Sequence, residues 1–276
     1  MHGLTSTSAV AQRASAFDAA GTELWNATTN LLRDAEAHAQ GPQLRRDAPS
    51  RIKVLLRVYA FHLLDVAYHA SSKRTKDVQQ RIRNFKLALK ACQTCLENSE
   101  LQMSMNILER CSDHVSTVED ASPLLRLGGD DDDGDGITRM KTLTTEFYLL
   151  RIIYAWKTGR LDVAMHFTSK LDAQSVRAAH LAEKAADLYY EIAKHLLKQS
   201  DIQGATDWLD RALASLDVCD VEHLSDDAAD LRLSISAKLG KCSLAKRNDA
   251  DFLQFGVCRA LQLSMTLTEQ SSLCST

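Results

Sequence analysis

Apolar side chains recur three or four residues apart along most of the chain, the spacing that places them on one face of an α-helix. The pattern predicts nine helices, at about Ala19–Ala39, Arg51–Ala70, Val78–Glu97, Glu100–Val118, Met140–Lys157, Leu161–Leu171, Val176–Gln199, Ile202–Leu216 and Ser225–Leu239. In the second helix the apolar positions cover a wide face, which is typical of a helix packed between neighbours. These positions are Ile52, Leu55, Leu56, Tyr59, Leu63, Val66 and Ala67.

Composition narrows the fold class to all-α. The 276 residues include 3 prolines and 11 glycines, which is few for a protein built from strands and tight turns. The net charge of -3 argues against a general nucleic-acid-binding role for the whole chain. The sequence has no run of 18 apolar residues, so no membrane span is predicted. Residues 1–17 lack the features of a signal peptide, and seven cysteines without secretory context are predicted to be reduced thiols in the cytosol or nucleus.

Three pairs of predicted helices share a pattern of small and large residues. Small residues follow the turn at Ser104, Ala164 and Ala205, which lie 60 and 41 residues apart. Two antiparallel helices approach closely only where both carry small residues, so we predict degenerate tetratricopeptide-like (TPR-like) hairpins. The second pair fits less well, because Thr168 and Leu171 replace a large and a small residue. The third pair has the full set of repeat-packing positions, namely Tyr189, Ile192, Ala193, Leu196, Ile202, Ala205, Leu209 and Ala212.

Stacked hairpins predict one α-solenoid over residues 1–240, with an acidic loop at 123–139. Beyond Gly240 the character changes, since one amphipathic stretch from Phe252 to Leu267 precedes a Ser/Thr-rich end. We expect residues 241–276 to be a poorly packed or disordered tail, or an artefact of the gene model. An array that stops here is expected to expose an apolar face of its last helix and to self-associate through it.

Four residues have the spacing of a zinc site. Cys92-x2-Cys95 and Cys111-x2-His114 are separated by fifteen residues, and zinc takes four sulfur and nitrogen ligands. The surrounding sequence reads as helix, however, and Cys92 and Cys111 fall on small-residue core positions of the repeat. We predict buried structural cysteines and no metal, while a zinc site and a redox role for the Cys-x2-Cys pair stay open as alternatives.

The acidic loop matches the first half of a calcium-binding loop. Asp131, Asp133, Asp135 and Gly136 have the required spacing, but the twelfth position, which should be a bidentate Glu, is Thr142. We predict a solvated acidic insertion, with a weak cation site as the alternative.

Charge is unevenly distributed along the chain. Residues 45–90 hold twelve Lys/Arg and three acidic residues, whereas 201–231 hold nine acidic residues and a single Arg. The simplest interpretation of this charge distribution is two solvated helix faces, one basic and one acidic. The functional alternative is a bipolar surface that steers oppositely charged partners to its two ends. The first candidates for partner contact are Arg81, Arg83, Lys86 and Lys90. No aromatic platform accompanies them, so direct DNA binding is not predicted.

No catalytic or cofactor-binding motif occurs in the sequence. Glycine-rich phosphate loops, a nucleophile elbow and a metalloprotease helix motif are all missing. We therefore predict a non-enzymatic protein without cofactor or small-molecule substrate.

Several helix-packing segments together resemble a known family. They are Gly21–Asn26, Leu56–Phe61, Gly159–Ala164, Ala182–Asp187, Tyr189–Lys194 and Trp208–Ala212. In order and combination they resemble the N-terminal part of the fungal Spo-twenty-two/Zip-four meiotic proteins, over about residues 17–237. The family's chains are several times longer, with many more repeats, and residues from Lys241 onward resemble nothing in it.

The resemblance implies a nuclear, chromosome-associated scaffold made of TPR-like hairpins. Proteins of that family promote interference-dependent crossovers and synaptonemal-complex assembly by holding recombination and chromosome-axis proteins. The expected function is therefore a meiotic protein-protein interaction scaffold. The alternative is a generic TPR adaptor in complex assembly with no meiotic role.

Overall fold

The computed structural model describes residues 3–38, 51–70, 78–125, 134–171, 178–219 and 224–247. Within these ranges the chain forms nine helices and no strand, which confirms the predicted all-α class of helical hairpins. The helices are α1 (Gly3–His38), α2 (Arg51–Ala70), α3 (Val78–Glu97), α4 (Leu101–Leu125), α5 (Gly134–Lys157), α6 (Leu161–Thr168), α7 (Ala179–Lys198), α8 (Ile202–Asp217) and α9 (226–247).

One three-residue turn recurs in three of the connections, between α3 and α4, α5 and α6, and α7 and α8. Its middle residue has a positive φ each time, at Ser99 (60°), Gly159 (75°) and Ser200 (64°). The two last turn residues donate backbone hydrogen bonds to carbonyls three and five residues earlier, which closes the C-terminus of the first helix. The three hairpins therefore share one turn geometry, as a repeat requires.

The chain divides into two compact units, residues 1–175 and 176–276. In the first, α1 packs on α2, α3 on α4 and α5 on α6, and neighbouring hairpins meet where α3 contacts α2 and α5. Their apolar core includes Val54, Phe61, Phe85, Leu89, Leu96, Ile107, Leu108 and Phe147. The interior of this unit thus lies between stacked hairpins.

The buried face of α2 differs from the predicted one. Four of the seven positions expected to pack are exposed, namely Ile52, Leu55, Tyr59 and Val66. The buried face instead combines Val54, Phe61 and Leu64 with two charged residues, Arg57 and Asp65. The prediction was wrong here because hydrophobic spacing gives no weight to buried charges, and both charges find partners on neighbouring helices.

In the second unit α7 packs against α8, and α9 is fastened to both. Seven of the eight repeat-packing residues named above are buried here, and Ile202 is half-buried. The rings of Tyr189 and Trp208 lie 5.4 Å apart across the pair. The backbone N–H of Ser225 donates to Glu183 of α7 at 2.7 Å, and Arg232 pairs with Asp217 at the end of α8.

Several helix ends differ from the predicted ones. The helix α1 begins at Gly3 instead of Ala19, and α6 ends at Thr168, so Leu171 lies outside it. The ends of the predicted acidic loop 123–139 are helical, because α4 extends to Leu125 and α5 begins at Gly134. The helix α9 crosses the predicted boundary at 240 and ends at 247, while 248–276 lie outside the described residues. A single solenoid over 1–240 stays a prediction.

Candidate partner-binding surfaces and the buried polar cluster

Three of the four candidate contact residues share one exposed side of α3. Arg83, Lys86 and Lys90 are spaced three and four residues apart and are all exposed. Arg81 is half-buried and lies on the other side of the helix, where its charge acts on His114 of α4. The structure therefore does not bring all four residues to one surface.

Arg83 is already engaged within the molecule. Its guanidinium donates to Asp18 and to Thr22 of α1, each at 2.9 Å. Within the described residues Lys86 and Lys90 have no ion-pair partner. The basic face available to a partner is thus Lys86 and Lys90, with Arg83 holding α3 beside α1.

Part of the acidic segment 201–231 serves the fold of the second unit. The carboxylate of Asp201 accepts a hydrogen bond from the N–H of Gly204 at 2.8 Å and caps α8, and Asp217 pairs with Arg232. Besides Asp217, the exposed acidic residues of α8 and α9 are Asp207, Asp210, Asp226, Asp227 and Asp230. Three of these lie in the first turns of α9, where the helix dipole favours negative charge.

A buried carboxylate, Asp65 of α2, joins three helices. It accepts hydrogen bonds from Asn84 of α3 at 3.2 Å and from Arg110 of α4. The ring Nδ1 of His69 lies 2.8 Å from its backbone oxygen and 3.3 Å from its carboxylate. Sequence reasoning missed this polar cluster because Asn84 and Arg110 lie 19 and 45 residues from Asp65 along the chain.

His114, one of the candidate zinc ligands, adjoins this polar cluster. Its Nε2 lies 3.5 Å from the amide nitrogen of Asn84, and its ring stacks on Phe85 at 5.2 Å. Burial lowers the pKa of His114 to about 4, and the positive charge of Arg81 acts in the same direction. The imidazole is therefore neutral at physiological pH, with Nε2 placed to accept a hydrogen bond from Asn84.

The three candidate zinc-ligand thiols lie in the apolar core between α3 and α4. Cys92, Cys95 and Cys111 are fully buried, and the Cys92 thiol donates to the backbone oxygen of Ser104 at 3.8 Å. Burial raises the pKa of Cys95 to about 12 and also raises the pKa of Cys92 and Cys111. They are placed as small apolar groups, as predicted. In the described part of the chain no group of three His, Cys, Asp or Glu side chains is placed to hold a metal ion.

The candidate calcium loop falls partly outside the described residues. Asp131 and Asp133 lie there, whereas Asp135 and Gly136 lie in the first turn of α5. Thr142, at the position of the bidentate ligand, donates its hydroxyl to the carbonyl of Thr138. The helical backbone at 134–136 differs from the irregular loop that such a site needs.

A second buried charge, Arg57 of α2, fastens α1. Its guanidinium carbon lies 3.4 Å from the ring centroid of Trp25, and it donates to the Trp25 carbonyl at 3.1 Å and to Thr29. Burial lowers the pKa of Arg57 to about 10. The cation-π and hydrogen-bond contacts offset the cost of burying the charge.

The comparison with known proteins covers the end of the first unit and most of the second. Residues 154–255 match the SPO22/ZIP4-like meiosis protein family, a segment that starts in the last turn of α5 and includes α6 to α9. This match confirms the resemblance inferred from the sequence, although the two quoted segments in α1 and α2 lie outside it. The expectation that residues from Lys241 onward resemble nothing in the family was wrong, because the match includes residues 241–255. No curated protein and no solved structure matches the chain. Among the described helices, none is both long and apolar enough for a membrane crossing.

Proposed function

We propose that this protein is a non-enzymatic scaffold that holds partner proteins during meiotic crossover recombination and synaptonemal-complex assembly. The observation that carries the proposal is the match to the SPO22/ZIP4-like family, which implies a meiosis-related role. The proposed site of action is the nucleus, on chromosomes, with recombination and chromosome-axis proteins as partners.

The burial of the thiol and imidazole side chains supports a binding role over a catalytic one. The thiols of Cys92, Cys95 and Cys111 are buried with raised pKa, and His114 is buried and neutral. A catalytic thiol or imidazole is instead partly exposed, with its pKa tuned toward neutrality. These groups pack the interior of the first unit, which leaves the exposed helix faces as the surfaces offered to other proteins.

The basic face of α3 is the surface proposed to bind a partner. Lys86 and Lys90 are exposed, one helical turn apart, and free of ion pairs within the described residues. Two such ammonium groups attract an acidic segment and raise its association rate more than its affinity. The expected partner therefore carries Asp and Glu residues, and its binding weakens as salt rises.

Affinity purification of the tagged full-length chain from meiotic cells tests the proposal. We expect recombination or axis proteins to be recovered with the wild type and to be reduced with Lys86→Glu combined with Lys90→Glu. The matched control is Lys157→Glu combined with Lys170→Glu, two exposed lysines of α5 and the turn after α6. It reverses the same amount of charge and should leave recovery unchanged.

Recovery of no recombination or axis protein would refute the meiotic role. A message present throughout vegetative growth, with complex-assembly proteins in the purified material, would favour the generic TPR adaptor. Equal loss of partners in both charge-reversal variants would refute the assignment of the surface to α3 while leaving the scaffold role intact.

A further inference from the structure

The hairpin of α1 and α2 packs on α3 by one of its two sides. Asp18 and Thr22 of α1 accept hydrogen bonds from Arg83, and Asp65 of α2 accepts one from Asn84. Each residue turns a helix by about 100°, so positions about 140° away from these contacts face away from α3 on both helices. We call this side of the hairpin its outer side.

Apolar residues form a row along the outer side of each helix. They alternate in spacing between three and four residues, at Phe17, Ala20, Leu24, Ala27 and Leu31 of α1 and at Ile52, Leu56, Tyr59, Leu63 and Val66 of α2. The exposed large side chains among them are Ile52 (66%), Tyr59 (58%), Val66 (48%), Leu31 (42%) and Phe17 (39%). Exposed apolar residues are ordinary when scattered singly, but two adjacent rows of them indicate a surface for a partner. We call the two rows together the outer groove.

The two helices approach closely along the floor of the outer groove. A Cβ built at Gly21 of α1 would lie 3.1 Å from Cβ of Leu63 of α2. Ala20 and Ala27 are exposed and small, so they admit close approach of a further helix. Each row extends over about four helical turns, or 21 Å.

The spacing of the rows indicates an α-helix as the occupant of the outer groove. Alternating steps of three and four residues average 3.5, the period that keeps an apolar row facing a neighbouring helix. The opposite side of the same hairpin is covered by a helix, α3. An amphipathic helix that lays its apolar face into such a groove is a common mode of peptide recognition.

The charges of the hairpin favour an acidic helix. Of the three acidic side chains described in α1 and α2, Asp18 pairs with Arg83 and Asp65 is buried, which leaves Glu23 exposed. The basic side chains that are exposed or half-buried are Arg13, Arg33, Arg51 and Lys53. The surface around the groove is therefore predominantly positive and complementary to a negatively charged partner.

Two of these cations lie at opposite ends of the row on α1. Arg13 precedes Phe17 by one helical turn, and the ammonium group of Lys53 lies 3.5 Å from the carbonyl oxygen of Leu31. A second copy packed antiparallel on this groove would place Arg13 near Lys53 of its partner. Such like-charge contacts disfavour self-association by this surface.

We propose that the outer groove binds an amphipathic α-helix of a partner protein, whose apolar residues are spaced three and four apart and flanked by Asp and Glu. The groove is a second interaction surface of the first unit, separate from Lys86 and Lys90 of α3. The proposal does not depend on the meiotic function.

Fluorescence anisotropy of a labelled synthetic helix, titrated with the purified full-length chain, tests this proposal. The probe has three heptads with Leu at the first and fourth positions and Glu at the positions that flank them, and a second peptide has Lys at the flanking positions. We expect the Glu peptide to bind at least about tenfold more tightly than the Lys peptide, and to bind more weakly as salt rises.

Two double variants remove the outer groove from either helix. Ile52→Ser combined with Tyr59→Ser should weaken binding of the Glu peptide by at least about tenfold, because two large apolar contacts are lost. Ala20→Glu combined with Ala27→Glu should have the same effect, because it places bulk and like charge in the groove. Unchanged hydrogen exchange of the α3 amides in both variants shows that the first unit remains folded.

Leu233→Ser combined with Leu244→Ser is the matched control, because it removes two leucines of α9 that are 70% and 61% exposed. It should leave the affinity unchanged, and so should Lys86→Glu combined with Lys90→Glu. A loss in the lysine variant as large as in the groove variants would assign the peptide to α3 and overturn the proposal.

Three further results would overturn the proposal. They are equal affinity for the two peptides, binding of neither peptide, and full affinity in Ile52→Ser combined with Tyr59→Ser. A dimer mass by light scattering that this variant converts to a monomer would assign the outer groove to a second copy and also overturn it.

Discussion

Removal of the Asp65 carboxylate should destabilise the first unit selectively. In Asp65→Ala the amide of Asn84, which is almost fully buried, loses one of its two acceptors and keeps only Nε2 of His114. One of its N–H groups is then a buried donor without a partner, which costs about 1–3 kcal/mol. Arg110 loses its partner too, but its side chain is 51% exposed and can turn to water, so this loss adds less than about 1 kcal/mol. The expected total is about 3 kcal/mol.

Asp65→Asn separates the two contributions. The asparagine keeps an oxygen for Asn84 but presents an amide in place of the second carboxylate oxygen to Arg110. We expect a loss of about 1 kcal/mol, the value of a half-exposed charged hydrogen bond. The matched control is Asp18→Ala, which breaks the ion pair with Arg83, where both side chains are close to half exposed. Its expected effect is below about 1 kcal/mol.

Native-state hydrogen exchange of the α3 amides is the suitable assay, because it reports the opening free energy of the first unit by itself. A single thermal midpoint would mix the two compact units. If Asp65→Ala and Asp18→Ala reduce the opening free energy equally, the reasoning about the buried carboxylate is refuted. An Asp65→Asn variant as unstable as Asp65→Ala would show that charge, not the acceptor for Asn84, carries the effect.

Three further predictions follow from single contacts. Only the unfolded chain protonates His114 between pH 6.5 and about 4, so the first unit should lose up to about 3 kcal/mol of stability as pH falls through that window. His114→Gln should lose this part of the pH dependence. An equal dependence of the opening free energy of the α3 amides on pH in both proteins would contradict it. Gly21→Ala should lower the stability of the first unit by about 1 kcal/mol, since its methyl would lie 2.8 Å from Cγ of Leu64 and the strain outweighs the gain in helix propensity. Slower hydrogen exchange of the α2 amides in this variant would show instead that the two helices separate freely. Ser99→Gly and Ser200→Gly should each stabilise their hairpin by about 0.5–1 kcal/mol, because glycine adopts the positive φ without strain. Slower hydrogen exchange of the backbone amides near each turn would confirm this, and unchanged or faster exchange would contradict it.

The helical hairpins were predictable because their signals are local. The three-to-four-residue spacing of apolar side chains and the polar breaks between them define α2, α3 and α8 to within about a residue at each end. The small residues Ser104, Ala164 and Ala205 predicted the close crossings, and all three are fully buried. The positive φ of Ser99 and Ser200 could not be predicted from the sequence, because serine, unlike glycine, does not favour that conformation.

The basic surface was only partly predictable. Sequence proximity grouped Arg81 with Lys86 and Lys90, but helical rotation places Arg81 on another side of α3. The ion pair of Arg83 with Asp18 joins residues 65 positions apart, and nothing in the local sequence indicates it. Local charge density therefore identified α3 as the basic helix, whereas the tertiary structure determines which of its basic side chains form ion pairs within the described residues.

By itself the sequence determined the all-α class, the hairpin pairing and the resemblance to a meiotic family, since each follows from patterns within a few helical turns. Only the tertiary structure decided that α2 buries Arg57 and Asp65 and exposes Ile52 and Tyr59. The physical reason is that a buried charge is stable only where partners surround it, and those partners come from Trp25, Asn84 and Arg110 on other helices. Hydrophobic periodicity predicts which apolar residues are buried. Which polar residues are buried depends on the hydrogen-bond and ion-pair partners that the tertiary fold brings to them.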